Sequence, residues 1–260
     1  MSPSNYNLSS FSIINLRIAG YLVLIIENIC VSENYLKLFG FTISSAVITA
    51  LFFLITRPDI QRKENIITHG NPEISNIAFT FDDGPNPLWM PLLANTLSSN
   101  HAKGTFFIVG KEAVIYPEIV RQTNLLGHQI ASHSMNHPQN PNLSGLSKKA
   151  VLKEISDADK MIGKICGNNK LVFRPPGGGI NQTVLEITQK LGCRIIWWSN
   201  TASDFDTLPV NTIIDRIEED SRPGAILLLH QRKYTIAALE KYFTKKVPEY
   251  NYVTVQEMVK

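Results

Sequence analysis

The sequence predicts an α/β protein, a parallel barrel of seven strand–helix units with its helices outside, preceded by an N-terminal membrane segment. Three observations predict it. Short apolar, β-branched stretches alternate with helical ones from Ile77 onward. Polar residues cluster where those apolar stretches stop, as they do at the carboxyl face of a barrel. Leu38–Thr56 runs nineteen residues without a charge.

Taken in order, the first strand is Ile77–Phe81, an apolar run readable as buried on both faces and stopped by Gly84-Pro85. Strands follow at Thr105–Val109, Gln129–Ser134, Leu171–Arg174, Arg194–Ser199, Ala225–Leu229 and Tyr252–Val255. Helical stretches fill the intervals at Pro91–Ser99, Tyr116–Leu126, Ser147–Cys166, Thr183–Leu191, Val210–Glu218 and Ala237–Phe243. The chain divides accordingly into a membrane region (1–57) of one or two transmembrane helices, a polar linker (58–73) and a barrel (74–260).

The N-terminal region behaves differently from the rest. As a helix, Leu38–Thr56 would extend about 29 Å, near the thickness of the hydrocarbon layer. A second apolar stretch, Phe11–Cys30, carries Arg17 and Glu27 near the ends of its uncharged run, where both would snorkel to the headgroups. Arg57, Arg62 and Lys63 follow the longer run, which by the positive-inside rule keeps that flank cytoplasmic. A net charge of +3, without a basic run interleaved with aromatics, argues against nucleic acid as a partner. Nothing in the sequence implies a protein partner. The three cysteines lie far apart and form no metal or redox pair.

Chemistry is concentrated at the strand ends. Asp82 and Asp83 are adjacent at the end of the first strand, and two crowded carboxylates repel unless a cation lies between them or one holds a proton. Fifty residues on, Ser132-His133-Ser134-Met135-Asn136-His137 places two histidines at i and i+4, a spacing that aims both imidazoles to one side of a helical turn. Asp83, His133 and His137 make a one-carboxylate, two-histidine set with room for a fourth ligand, the count of a catalytic zinc site. The donors are borderline in softness, so Zn²⁺ is the first expectation, with Co²⁺, Ni²⁺ and Mn²⁺ as alternatives.

Three further segments complete a pattern. Leu171–Gly179 carries Arg174-Pro175-Pro176-Gly177-Gly178, Ile195–Asn200 (Ile-Ile-Trp-Trp-Ser-Asn) leads to Asp204-Phe205, and Ala225–His230 ends in Leu228-Leu229-His230. With Thr80–Pro85 and His133–His137, these segments resemble, in order, the five motifs of the NodB-type polysaccharide deacetylases, carbohydrate esterase family 4. The likeness runs from about Ile74 to Lys260. It implies a distorted (β/α)7 barrel and a metal-dependent hydrolase that removes N-acetyl groups from the sugars of a polysaccharide, peptidoglycan or lipid-linked glycan. It further implies Asp82 as general base, His230 as general acid, Arg174 orienting Asp82, and Asp204 hydrogen-bonded to His230. Gly177 would supply a backbone N–H to the oxyanion, and Phe205 and Leu228 would lie by the substrate. By the same resemblance the enzyme works outside the cell, in conflict with the flanking charges.

Two departures from the family pattern bear on substrate. The fourth motif usually reads Asp-x-x-Asp-Trp, whereas Thr201 and Phe205 stand here at its first and last positions. Gly177 stands where the third motif usually has an aromatic. Both remove flat surface on which a sugar stacks, and on that ground a short or lipid-linked N-acyl sugar is expected as substrate. A deformylase or O-acyl esterase on a lipid-linked sugar, and a catalytically silent sugar-binding membrane protein, are the alternatives.

Overall fold

The computed structural model describes residues 65–167, 172–204, 208–245 and 250–259. Both apolar N-terminal runs, the first part of the expected linker, and Phe205 lie outside the described residues. None of the helices among the described residues is long and apolar enough to cross a membrane.

Nine strands form one parallel sheet among the described residues: β1 (Ile66–Ile67), β2 (Asn76–Gly84), β3 (Gly104–Ile108), β4 (Gln129–Ser132), β5 (Val172–Phe173), β6 (Arg194–Ile196), β7 (Asn200–Thr201), β8 (Ile226–His230) and β9 (Asn251–Tyr252). Their order is β1-β6-β5-β4-β3-β2-β8-β7, with β9 beside the start of β2. The sheet curls around a lumen but its order leaves β1 and β7 as edges. Eight α-helices among the described residues accompany it: α1 (Trp89–Ser99), α2 (Gly110–Ile115), α3 (Pro117–Leu125), α4 (Lys148–Cys166), α5 (Gln182–Lys190), α6 (Val210–Asp220), α7 (Lys233–Thr244) and α8 (Val255–Met258). Several start where the sequence supplies an acceptor: Ser147 caps α4, Asn181 caps α5, and Thr254 with Glu257 forms a capping box on α8.

Strand parity explains both the core and the site. Ala78, Phe107, Ala131, Val172, Ile196 and Ile226 share a cluster with Val255 and Met258 of α8, which marks the lumen face of six strands. Their neighbours Ile77, Phe79, Phe81, Phe106, Ile108, Ile130, Leu227 and Leu229 pack in a second cluster with the helices. Phe173 and Ile195 do the same with α4 and α5 in a third. Strands buried on both faces read as continuous apolar runs, as these do. Counting by twos from the lumen residues reaches Asp82, His133, Arg174 and His230 at the carboxyl ends.

Four expectations change. The stretch expected as linker contributes β1, because Ile66 and Ile67 are apolar and register against Ile195 and Ile196. Arg194–Ser199 is not one strand: β6 stops at Ile196, and β7 forms separately beside β8. The last strand ends at Tyr252, since the Thr254 cap turns Val255 into a helix. The segment 133–137 is not helical. β4 stops at Ser132, and Ser134 and His137 both have positive φ. Cys166 and Cys193 are free thiols, and burial pushes them up to about 11 and about 12.

Candidate active site

Successive residues of a strand point to opposite faces, so Asp82 and Asp83 would diverge on a regular β2. A bulge brings them together. Between Phe81↔Phe106 and Gly84↔Ile108, β2 advances three residues while β3 advances two. The extra residue bends the strand and re-aims a side chain. Asp82 remains in the lumen, 5% exposed. Asp83 turns outward with φ 64°, its side chain 49% exposed. Positive φ in a non-glycine residue carries strain and tends to collect at functional sites. Asp83, Ser134, His137 and Ser203 all adopt it, each in this site or next to one of its residues.

Asp83, His133 and His137 converge. Asp83 Oδ1 lies 3.5 Å from His133 Nε2 and 3.1 Å from His137 Nε2, and all three donor atoms fall within 4.8 Å of one another. Ligands ~2.0–2.1 Å from a tetrahedral zinc stand roughly 3.3 Å apart, so the two edges through Asp83 already have the required length. The tautomer is set as well. His133 Nδ1 donates to the Arg174 carbonyl oxygen at 2.8 Å, since a carbonyl only accepts, so the neutral ring turns its Nε2 lone pair to Asp83 and the protonated ring donates there instead. Burial pushes the Asp83 carboxyl up, but hydrogen bonds from His133 and His137 and the charges of His133 and His230 hold it well below the usual carboxylate range. The bond to Asp83 in turn raises His137 above an ordinary histidine.

Arg174 is fully buried beneath this group. Its Nη1 donates to Asp82 Oδ1 and to Thr80 Oγ1, both at 2.8 Å, its Nε to Ile196 O, and its Nη2 to Trp197 O. The guanidinium also lies 4.1 Å from the Phe107 ring centroid and 5.7 Å from a Trp198 ring centroid. A charge removed from water needs such partners. The result fixes one oxygen of Asp82 and leaves the other, Oδ2, 3.9 Å from His133 Nε2.

His230 closes the far side, its Nε2 4.0 Å from Asp83 Oδ2. Its Nδ1 is 2.8 Å from Asp204 Oδ1, while Asp204 Oδ2 accepts from the His230 backbone N–H at 2.8 Å and from Thr235 Oγ1 at 2.6 Å. Burial by itself lowers the His230 pKa. The hydrogen bond to Asp204 and the charges of Asp204, Asp82 and Asp83 outweigh it, so the imidazole sits above its ordinary value.

At the remaining expected positions, Gly177 is exposed in a one-turn 3₁₀ segment with φ 58°. The adjacent amides of Gly178 and Gly179 donate to Pro175 and Pro176. Leu228 lies on the lumen face of β8, opposite Thr80 and Thr201. Of the histidines given no role, His128 is buried and bonded at Nδ1 by the Gly104 N–H, and His69 and His101 are exposed. Sequence reasoning missed Thr80, Thr235 and Phe107. Thr80 belongs to the first motif and shares Asp82's parity, a signal that was available; Thr235 and Phe107 gave none.

Comparison with known proteins identifies the family. The family model for polysaccharide deacetylases matches residues 69–196. A chitooligosaccharide deacetylase of Azorhizobium caulinodans is 38% identical over 157 residues, which cover 60% of this chain and 73% of that protein. A peptidoglycan-N-acetylglucosamine deacetylase of Bacillus cereus is 34% identical over 191 residues, covering 71% and 88%. The crystal structure of a peptidoglycan N-acetylglucosamine deacetylase bound to an N-oxidanyl benzamide superposes with a TM-score of 0.72 at 26% identity, over 78% of this chain and 97% of that one. The chain belongs to the polysaccharide deacetylases of carbohydrate esterase family 4 and is a hydrolase of carbon–nitrogen bonds other than peptide bonds.

Proposed function

We propose that this enzyme is a divalent-metal-dependent N-deacetylase acting on N-acetylglucosamine units of a glycan. The observation that carries the reading is the spacing of the Asp83, His133 and His137 donor atoms beside a carboxylate and an imidazole that are not among them. Those three residues would hold the cation, and their oxygen and nitrogen donors favour zinc, with cobalt, nickel and manganese also accepted. Bound there, it supplies a Lewis acid for the acetamide oxygen.

The remaining work falls to side chains of this chain. Asp82, held at Oδ1 by Arg174, takes the proton of the attacking water at Oδ2 as general base. By family analogy, the backbone N–H of Gly177, an exposed residue, would donate to the oxygen that gains charge as the carbonyl becomes tetrahedral. His230 Nε2 gives its proton to the departing amine, and Asp204 at Nδ1 keeps that imidazole charged. Arg174 and Asp204 act as positioning residues, and Leu228, on the lumen face of β8, would lie by the substrate; the family resemblance alone gives Phe205 the same role.

The named substrates of the relatives, chitooligosaccharides and peptidoglycan, favour an N-acetylhexosamine chain. The uncharged run Leu38–Thr56 supports a membrane anchor, on the outer side by family analogy and on the inner by its flanking charges. Acetate release from chitooligosaccharides and from peptidoglycan tests the reading. Activity should vanish with a chelator and return with Zn²⁺ or Co²⁺. Full activity in metal-free protein would reject the mechanism, and release of formate instead of acetate from a lipid-linked formamido sugar would reassign the acyl group.

A further inference from the structure

His137 reaches the donor set from a loop, since the chain after β4 takes positive φ at Ser134 and again at His137. Such a backbone persists only where its surroundings over-determine it. Part of that comes from nearby: the Ser134 and Met135 carbonyls accept from the N–H groups of Gly110 and Lys111 at 2.9 and 2.8 Å, and the His137 N–H donates to Ser134 Oγ at 3.1 Å. The rest comes from Glu154, eighteen residues beyond Asn136. Its backbone carbonyl accepts from the Met135 N–H at 2.9 Å. Its carboxylate holds Asn136 at two points, Oε2 accepting from the backbone N–H at 2.8 Å and Oε1 from the side-chain NH₂ at 2.6 Å. Two charge-assisted bonds to one residue fix its orientation as well as its place. Glu154 stands on a rigid support, because α4 buries Val151, Ile155, Ala158 and Ile162. Asn136 itself is exposed and directly precedes His137, so packing of the core does not account for the clamp.

We propose that Glu154 is a positioning residue for the metal. Through Asn136 its carboxylate keeps the loop in the shape that sets His137 Nε2 3.1 Å from Asp83 Oδ1 before a cation arrives. A loop without the clamp would have to be ordered by the metal, and that ordering would be subtracted from its affinity. The proposal rests on the metal-dependent reading above and adds a group that touches neither cation nor substrate.

The test is the Zn²⁺ affinity of the full chain, measured by competition with a chromophoric chelator, beside thermal unfolding of the metal-free protein. Glu154→Ala should weaken Zn²⁺ about ten-fold, the low end for groups that orient a ligand. Glu154→Gln should keep most of the affinity, since an Asn136 side chain turned over presents its oxygen to the new NH₂ and both bonds survive. Asn136→Ala removes the side-chain bond from an exposed position and should weaken Zn²⁺ by less than Glu154→Ala. The two together should cost little more than Glu154→Ala alone, because they share that bond. Parent affinity in Glu154→Ala or Asn136→Ala, with only the metal-free melting temperature lowered, would make the clamp a plain support and overturn the proposal. Equal losses in Glu154→Ala and Glu154→Gln would place the effect in the charge and overturn it too. If Glu154→Ala does not fold, the glutamine and Asn136 variants decide. A parent chain that takes up no Zn²⁺ would sink the metal reading and the proposal with it, an outcome distinct from parent and variants binding alike.

Discussion

Replacing Asp204 by asparagine separates a structural from a catalytic role for that carboxylate. Asp204 is 1% exposed and accepts three hydrogen bonds, two from a backbone N–H and a hydroxyl at Oδ2 and one from the imidazole at Oδ1. An asparagine has one acceptor oxygen. The His230 backbone N–H cannot turn away, so that oxygen takes the Oδ2 position and the new NH₂ faces His230 Nδ1. The ring then accepts at Nδ1 and carries its only proton on Nε2, so it is neutral. Protonating it would set one N–H against another. The influences that raise the His230 pKa shrink while burial, which lowers it, remains. The acid is therefore lost at a lower pH than in the parent, and the alkaline limb of kcat should move toward acid. At neutral pH kcat should fall roughly 10²–10⁴-fold, the worth of a general acid. The same exchange in Ser-His-Asp enzymes costs about 10⁴. Stability should fall by about 1.5–3 kcal/mol for the charge-assisted bond lost. The assay is acetate release between about pH 5 and 9, the span over which histidines titrate, with bound zinc counted in parallel. Thr235→Val, which removes one of the three bonds and leaves the charge, should cost stability while the limb stays in place. An Asp204→Asn enzyme with an unmoved limb and near-normal kcat would refute the reasoning and leave Asp204 as a scaffold for Thr235 and the β8 end.

Four further outcomes are expected. Alanine at Asp83, His133 or His137 should strip the metal without unfolding the barrel, read by metal content and circular dichroism, with His133 the costliest because its Nδ1 also ties down Arg174. Metal affinity should fall as pH drops, since protons on His137, which Asp83 holds to higher pH than usual, compete for the same nitrogen; a titration at two pH values measures this. Asp82→Asn should keep its metal and lose about 10²–10⁴ in kcat, checked by single-turnover acetate release. Arg174→Met should strand the buried Asp82 carboxylate and cost about 3–5 kcal/mol in denaturant unfolding.

Much of this could be read in the chain. The apolar runs around Ile77, Phe106, Ile130 and Ile226 announce strands buried on both sides. Parity along those runs already places Asp82, His133, Arg174 and His230 on one face. What escaped was set by neighbours distant in sequence. β1 and β7 have two residues each, too few for any period to register, and exist because Ile195 and Leu227 offer them a ladder. The histidine pair has a helical spacing, yet its convergence comes from positive φ at Ser134 and His137, which side-chain identity does not reveal. At position 177 only the loss of an aromatic is visible in sequence. That Trp197 lies against the adjacent glycine depends on how the chain leaves β6.

The strand β1 has a practical consequence for anyone trimming this protein to a soluble fragment. A cut at Ile74, the natural choice when the preceding residues look like linker, would remove Asn65, Ile66 and Ile67. The backbone N–H groups of Ile195 and Trp197, now bonded to Asn65 O and Ile67 O, would lose their acceptors. β6 would become a bare edge beside the apolar residues Ile66 covered, open to pairing with a second molecule. Aggregation of such a fragment would report a severed sheet and say nothing about whether a membrane anchor is required for activity.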